Sequence, residues 1–213
     1  MIRIAIIYDN TSIKPDLKPD WGFAAYIQAY GKNILFDTGA NGEILLANMK
    51  TLNIDPLIIS DVFISHGHFD HIGGLSHFLN KNSHITLHVP SSFRGVRYAR
   101  DVIYYDKPQE IFEHFYTTGE LENIEQSLAV ATDKGLFIVA GCSHPSMNKI
   151  LNAVRDFGDI YGIAGGLHGF EQYDLFRNFQ MICPTHCTKH ITEIKDKFPE
   201  KYVAGGIGTV III

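Results

Sequence analysis

Only three cysteines occur in 213 residues, at positions 142, 183 and 187. An odd count at these spacings builds neither a disulfide framework nor paired CxxC zinc knuckles, so a reducing, cytoplasmic setting is the expectation. No apolar run approaches the ~20 residues of a membrane-spanning helix. The opening MIRIAIIYDN carries only the short stretch IAII before Tyr8 and Asp9, too little for the apolar core of a secretory signal. Blocks of like charge are also missing: 18 Lys and Arg against 23 Asp and Glu give a net charge of −5 at pH 7. No electrostatic footprint for nucleic acid follows from that balance, and no membrane partner is expected. A small-molecule substrate is the partner these absences leave, with a homo-oligomer left open. Low-complexity and linker tracts are absent, and 46% of the residues are hydrophobic, enough for one well-buried domain over residues 1–213.

Apolar, β-rich runs recur along the chain: RIAIIY (3–8), FAAYIQAY (23–30), NILFD (33–37), DVFIS (61–65), ITLHV (85–89), LAVAT (128–132), LFIVAG (136–141), YGIAGG (161–166), MICPT (181–185) and TVIII (209–213). These read as strands. YGKN (30–33) and TDKG (132–135) carry the Asn, Asp and Gly that tolerate tight turns, and they predict hairpins. Helical patterns fall at 41–52, with Asn41 as N-cap, at 145–157, with Pro145 in the first turn, at 171–179 and at 188–198. The mixture is that of an α/β protein whose sheets are covered by helices.

Five of the runs empty into loops that carry His or Asp, often beside Gly: FDTG at 36, ISHGHFDH at 64, VAGCSH at 139, IAGGLH at 163 and PTHCT at 184. Ligands bind beyond the ends of neighbouring strands, so loops far apart in sequence can converge on one site. The densest is HGHFDH. His66 and His68, two apart, share a side if the backbone is extended, and Gly67 between them offers a close backbone approach. Asp70 and His71 then sit where the chain turns, able to serve a second position. Imidazoles with a carboxylate and no required thiolate suit zinc, iron or manganese, and a dinuclear site can hold a hydroxide nucleophile. His144 and His186 follow strand-like runs and join the set, as does His168. His88, inside an apolar run, and His77, His84, His114 and His190 fit satisfied core or surface roles better. The cysteines fit small apolar packing, with Cys187, beside His186, in reserve as a ligand.

The succession HGHFDH, GCSH, GGLH and THCT resembles the metallo-β-lactamase superfamily over nearly the whole chain. More narrowly, WGFAAYIQ, ILFDTG, ISHGHFDHIGGL, IVAGCSHPSM, IAGGLHG and PTHCTK resemble the 7,8-dihydropterin-6-methyl-4-(β-D-ribofuranosyl)aminobenzene 5′-phosphate synthase-like subgroup. The resemblance implies a four-layer αββα sandwich and two divalent metal ions, zinc first, with iron or manganese as alternatives. It implies that His66, His68 and His144 bind one metal and Asp70, His71 and His186 the other, with Asp37 a buried carboxylate that orients the ligand loop. Many members place a bridging Asp where this chain has His168, and an imidazole cannot bridge as a carboxylate does while keeping a ring N–H.

Between His71 and His144, the segment SSFRGVRYARDVIYYDKP (91–108) offers Arg94 and Arg97 for a phosphate or carboxylate, and Asn10 at the end of the first strand is a further substrate-facing candidate. The function expected is metal-dependent hydrolysis of a small phosphorylated or heterocyclic metabolite, with Asp70 also moving a proton. The alternatives are a metal-binding sensor or a non-hydrolytic member of the same fold, either a pterin-related synthase or a di-iron redox protein.

Overall fold

Along the first strand, Ile4 and Ile6 face one way and Ala5 and Ile7 the other, and all are buried. A strand apolar on both faces has to be covered on both faces, which dictates a layered architecture. The computed structural model describes all 213 residues and shows those layers.

One sheet takes β1 (Arg3–Tyr8), β2 (Ala24–Ala29), β3 (Lys32–Phe36), β4 (Asp61–Phe63), β5 (Thr86–Pro90) and β6 (Asp101–Tyr105). The other takes β7 (Gln109–Phe112), β8 (Phe115–Thr117), β9 (Leu128–Thr132), β10 (Gly135–Ala140), β11 (Ile160–Gly166) and β12 (Met181–Thr185), while β13 (Val210–Ile212) returns to pair with β1. Their orders are β13-β1-β2-β3-β4-β5-β6 and β12-β11-β10-β9-β8-β7. Ile4, Ile6, Phe36 and Phe63 of the first sheet meet Leu128, Val130, Phe137 and Val139 of the second in a central apolar layer. Each such burial contributes about 1.5–3 kcal/mol.

Helices α1 (Gly42–Thr51), α2 (Phe69–Ile72), α3 (Leu75–Lys81), α4 (Met147–Val154) and α5 (Ile191–Lys197) complete the sandwich. Ile44, Leu45 and Met49 of α1 and Phe78 of α3 cover the outer face of the first sheet. Ile150, Leu151 and Val154 of α4 and Ile194 of α5 cover the outer face of the second. The expected four-layer αββα arrangement is what forms.

Both expected hairpins close. Tyr30 and Gly31, at positive φ of 50° and 74°, join β2 to β3, and Asp133 and Lys134 join β9 to β10. Asn41 caps α1, its side chain accepting from the Glu43 and Ile44 N–H groups. Pro145, in contrast, lies just ahead of Ser146, the N-cap of α4, and is not in the first turn. The helical pattern at 171–179 yields only a 3-10 turn at Tyr173–Phe176.

What positions the site is strand direction. β3 runs parallel to β4, and β10 runs parallel to β11, which runs parallel to β12. The C-terminal ends of β3 and β4 therefore share one edge of their sheet, as those of β10, β11 and β12 do of theirs. All five carry the His- and Asp-bearing loops.

Candidate metal centre

Beyond β4 the chain stays extended through His68, at φ −71° and ψ 147°, and then enters α2 at Phe69. Extended backbone puts His66 and His68 on one side; the helical turn aims Asp70 and His71 elsewhere. Gly67 proves unnecessary for this, since a Cβ there would meet only Phe93 at an ordinary 3.8 Å. Close approach is required instead at Gly73 and Gly74, where a Cβ would collide with the backbone carbonyls of Ala40 and Thr38. Those glycines let the α2 region lie against the FDTG loop, and the Thr38 N–H and Oγ1 both donate to the His71 carbonyl at 2.8 and 2.9 Å.

Three imidazoles converge. The ring centroids of His66 and His68 are 4.5 Å apart, and each lies 4.8 Å from that of His144, with interplanar angles of 75–80°. The Nε2 atoms of His66 and His144 are buried and have no hydrogen-bond partner. Orphaned buried polar atoms are costly, about 1–3 kcal/mol each, unless something not made of protein satisfies them. A metal ion fits both nitrogens. Burial and the neighbouring imidazoles hold His66 well below the usual histidine range, and burial followed by His68 and His168 brings His144 down to about 4. Neutral imidazole is the form that ligates.

A second set lies alongside. Asp70 Oδ2 is 3.1 Å from His186 Nε2 and 3.6 Å from His71 Nε2. Cys142 Sγ, 3.2 Å from His71 Nε2, closes the group. The donor atoms of Asp70, His71, Cys142 and His186 lie within 4.8 Å of one another, as do those of His66, Cys142 and His144. Burial, then His71, brings His186 down to about 4.

A layer of polar groups fixes these ligands from behind. Asp37, fully buried, accepts from the Ser65 N–H at 2.7 Å and the Ser65 hydroxyl at 2.6 Å and pairs with His71 Nδ1 at 2.7 Å. Asn10 holds His186 from two sides: its Oδ1 is 3.0 Å from His186 Nδ1 and its Nδ2 donates to the His186 carbonyl at 2.9 Å. The Asp9 carboxylate accepts the His186 N–H at 3.0 Å, and burial pushes Asp9 up to about 6. Both polar atoms of the Asn10 side chain are thus engaged by His186.

Glu125 has the same kind of role for the GCSH loop. Its Oε1 accepts from the N–H groups of Gly141, Cys142 and Ser143 at 3.1, 2.9 and 3.1 Å, and its Oε2 from that of His144 at 2.9 Å. One fully buried carboxylate therefore shapes the turn that carries His144. Nothing in the sequence around 119–127 signals this role, which is visible only once residue 125 lies in bridge pairing with His66.

His68 is exposed and has no atom in either donor set, although its ring stands 4.5 and 4.8 Å from those of His66 and His144. Three other expected site residues are not brought into the cluster. His168 is exposed, with φ 45° and its carbonyl tied to the Lys189 N–H, and its ring is 5.3 Å from that of His144 but outside both donor sets. Arg94 turns back on its own loop, donating to the carbonyls of Ser91 and Phe93 at 2.6 and 2.7 Å. Arg97 lines a separate hollow against Leu75 and Leu79 of α3. Cys142, read as packing, belongs to both donor sets, whereas Cys183 does sit in the apolar core. His88 is buried and satisfied by Tyr105 and Asp61, as expected of a core histidine.

A family model described as the metallo-beta-lactamase superfamily matches residues 20–170. A 7,8-dihydropterin-6-methyl-4-(beta-D-ribofuranosyl)-aminobenzene-5′-phosphate synthase of Methanocaldococcus jannaschii is 29% identical, over 83% of this chain and 84% of the relative. An uncharacterized protein of the same organism is 26% identical over 98% and 99% of the two chains. The crystal structure of Tm1679, a metal-dependent hydrolase of the beta-lactamase superfamily, superposes with a TM-score of 0.79 at 23% identity, covering 100% of this chain and 99% of that one. The strand order, the edge on which the histidine loops gather and the family match agree, and the chain belongs to the metallo-beta-lactamase superfamily.

Proposed function

We propose that this protein is a metal-dependent hydrolase of a small phosphorylated or heterocyclic metabolite. The observation that carries the reading is the pair of buried, partnerless Nε2 atoms on His66 and His144. His66, His68 and His144 would hold one divalent ion and Asp70, His71 and His186 a second. Such ions supply Lewis acidity and a water activated near neutral pH.

The residues around them do the rest. Asp37 and Asn10 hold the Nδ1 sides of His71 and His186, turning each Nε2 toward the centre, where they meet Cys142 Sγ and Asp70 Oδ2. Asp70, with one carboxylate oxygen between two imidazoles, is placed to accept a proton and return it to a leaving group. A cavity of about 390 Å³ opens beside His144 and His168 and is walled by Pro145, Met147 and Phe170, a size that suits a small molecule. Trp21, 58% exposed with its ring 5.0 Å from that of His186, and Phe69, 71% exposed between His68 and Asp70, add aromatic surface at the ligand loops. His168, on the rim, is left to contact substrate.

A panel of phosphodiesters, phosphomonoesters, esters and lactams, assayed with zinc, manganese and iron, tests the reading. Turnover of at least one class, lost in His66→Ala together with metal, is expected; a metal-loaded protein inert to all of them contradicts it. The similarity to the archaeal synthase motivates a second reading, in which the same centre would join a dihydropterin that carries a leaving group on its 6-methyl carbon to a ribofuranosylaminobenzene phosphate, the leaving group and a proton departing to solvent. Product formation from those two components without hydrolysis of any panel member would favour it.

A further inference from the structure

The two donor sets of the centre contain one atom that is not among the six ligands the superfamily resemblance implies. Cys142 Sγ is the donor common to both sets: it lies within 4.8 Å of the donor atoms of Asp70, His71 and His186, and within the same limit of those of His66 and His144. The side chain is 3% exposed and its N–H is held by Glu125, so its place is set by the same carboxylate that shapes the His144 turn. His66, whose Nε2 is orphaned, is fully buried in the same set.

Charge points the same way. Among the direct donors only Asp70 is anionic, and the histidines are neutral as ligands. Two dications a few ångströms apart repel, and an anion between them offsets that repulsion. No carboxylate beyond Asp70 is at hand for this: Asp37 is engaged by Ser65 and His71, Glu125 by four backbone N–H groups, and the place of a bridging Asp is taken by the exposed His168. Cys187 Sγ, which sits 3.7 Å from the Cys142 carbonyl, belongs to neither set.

We propose that the Cys142 thiolate is the ligand shared by the two metal positions, in place of a bridging carboxylate. The inference rests on the metal reading above. On binding, the thiol S–H breaks, the sulfur lone pair forms the bond to metal and the proton leaves to solvent. Coordinating cations deprotonate a thiol outright.

Two measurements test this. Cobalt-substituted protein should show a thiolate-to-cobalt charge-transfer band in the near ultraviolet. That band should vanish in Cys142→Ser and persist in Cys187→Ser. X-ray absorption of the zinc-loaded wild type, which needs no variant to fold, should show sulfur at about 2.3 Å with about one sulfur per zinc. About half a sulfur per zinc would mean a thiolate terminal on one ion, and an all nitrogen and oxygen shell would mean none; either overturns the proposal. A band that disappears in Cys187→Ser while surviving in Cys142→Ser also overturns it. If neither cobalt nor zinc binds, it is the metal reading itself that fails.

Discussion

Asp37 Oδ2 and His71 Nδ1 lie 2.7 Å apart, with both side chains fully buried. Burial alone would lower His71, but the Asp37 carboxylate raises it, while burial pushes Asp37 up against the pull of His71 and Ser65. The pair fixes the ring so that Nε2 faces Asp70 and Cys142. Asp37→Asn keeps the shape and removes the charge, and should weaken metal binding by about 10–100-fold. Isothermal titration of metal-free protein checks this; an unchanged affinity would remove Asp37 from the account.

Glu125→Gln puts an NH2 group where an oxygen now accepts backbone N–H groups. We expect a loss of about 2–4 kcal/mol, because at least one buried donor is left facing another donor. Urea unfolding measures it. A variant as stable as wild type would mean that the GCSH turn holds its shape without the carboxylate.

His168→Ala should leave metal content unchanged, since its exposed ring stands only against that of His144, at 5.3 Å, whereas the ring of His68 stands against both His66 and His144 at 4.5 and 4.8 Å. His144→Ala should lower it, since one of the orphaned nitrogens is gone. Elemental analysis of the two variants side by side decides between a rim role and a ligand role for residue 168.

Acid sensitivity should arise in part away from the centre, at Asp61. Burial would raise this carboxyl, but hydrogen bonds from His88 and Ser60, with the Lys32 charge, hold it below its ordinary value of 3.8. A carboxyl depressed in the folded state stabilises above its unfolded pKa, and that stability is lost as pH falls through the folded value. The gap in urea midpoint between wild type and Asp61→Asn should therefore be full at about pH 6 and shrink toward about pH 3. A gap independent of pH would show that Asp61 is not depressed.

Much of this centre was legible in sequence because its ligands follow strands that are apolar and regular. β1, β9 and β12 begin and end at the boundaries their apolar runs set; GCSH lies directly beyond β10, His186 directly beyond β12, and HGHFDH follows β4 after Ile64 and Ser65. β6, β7 and β8 were not legible. Asp101–Tyr105 is mostly exposed, and Gln109–Phe112 is only partly buried. β6 and β7 are ordered by backbone pairing with neighbouring strands, such as β6 with β5, and not by a buried face, while β8 buries Phe115 and Thr117 but is only three residues long. Arg94 and Arg97, read as substrate contacts in the segment 91–108, lie in the irregular stretch between β5 and the edge strand β6. Glu125 and Asn10 were hidden for another reason: their roles are hydrogen bonds across 19 and 176 residues of chain.

The most direct measurement is metal content of the full chain purified without chelator. The account predicts about two equivalents of zinc, iron or manganese per chain, falling in both His66→Ala and His71→Ala, while the folded circular dichroism spectrum is kept. A folded wild-type protein that holds no metal, and takes up none when zinc is supplied, would contradict it.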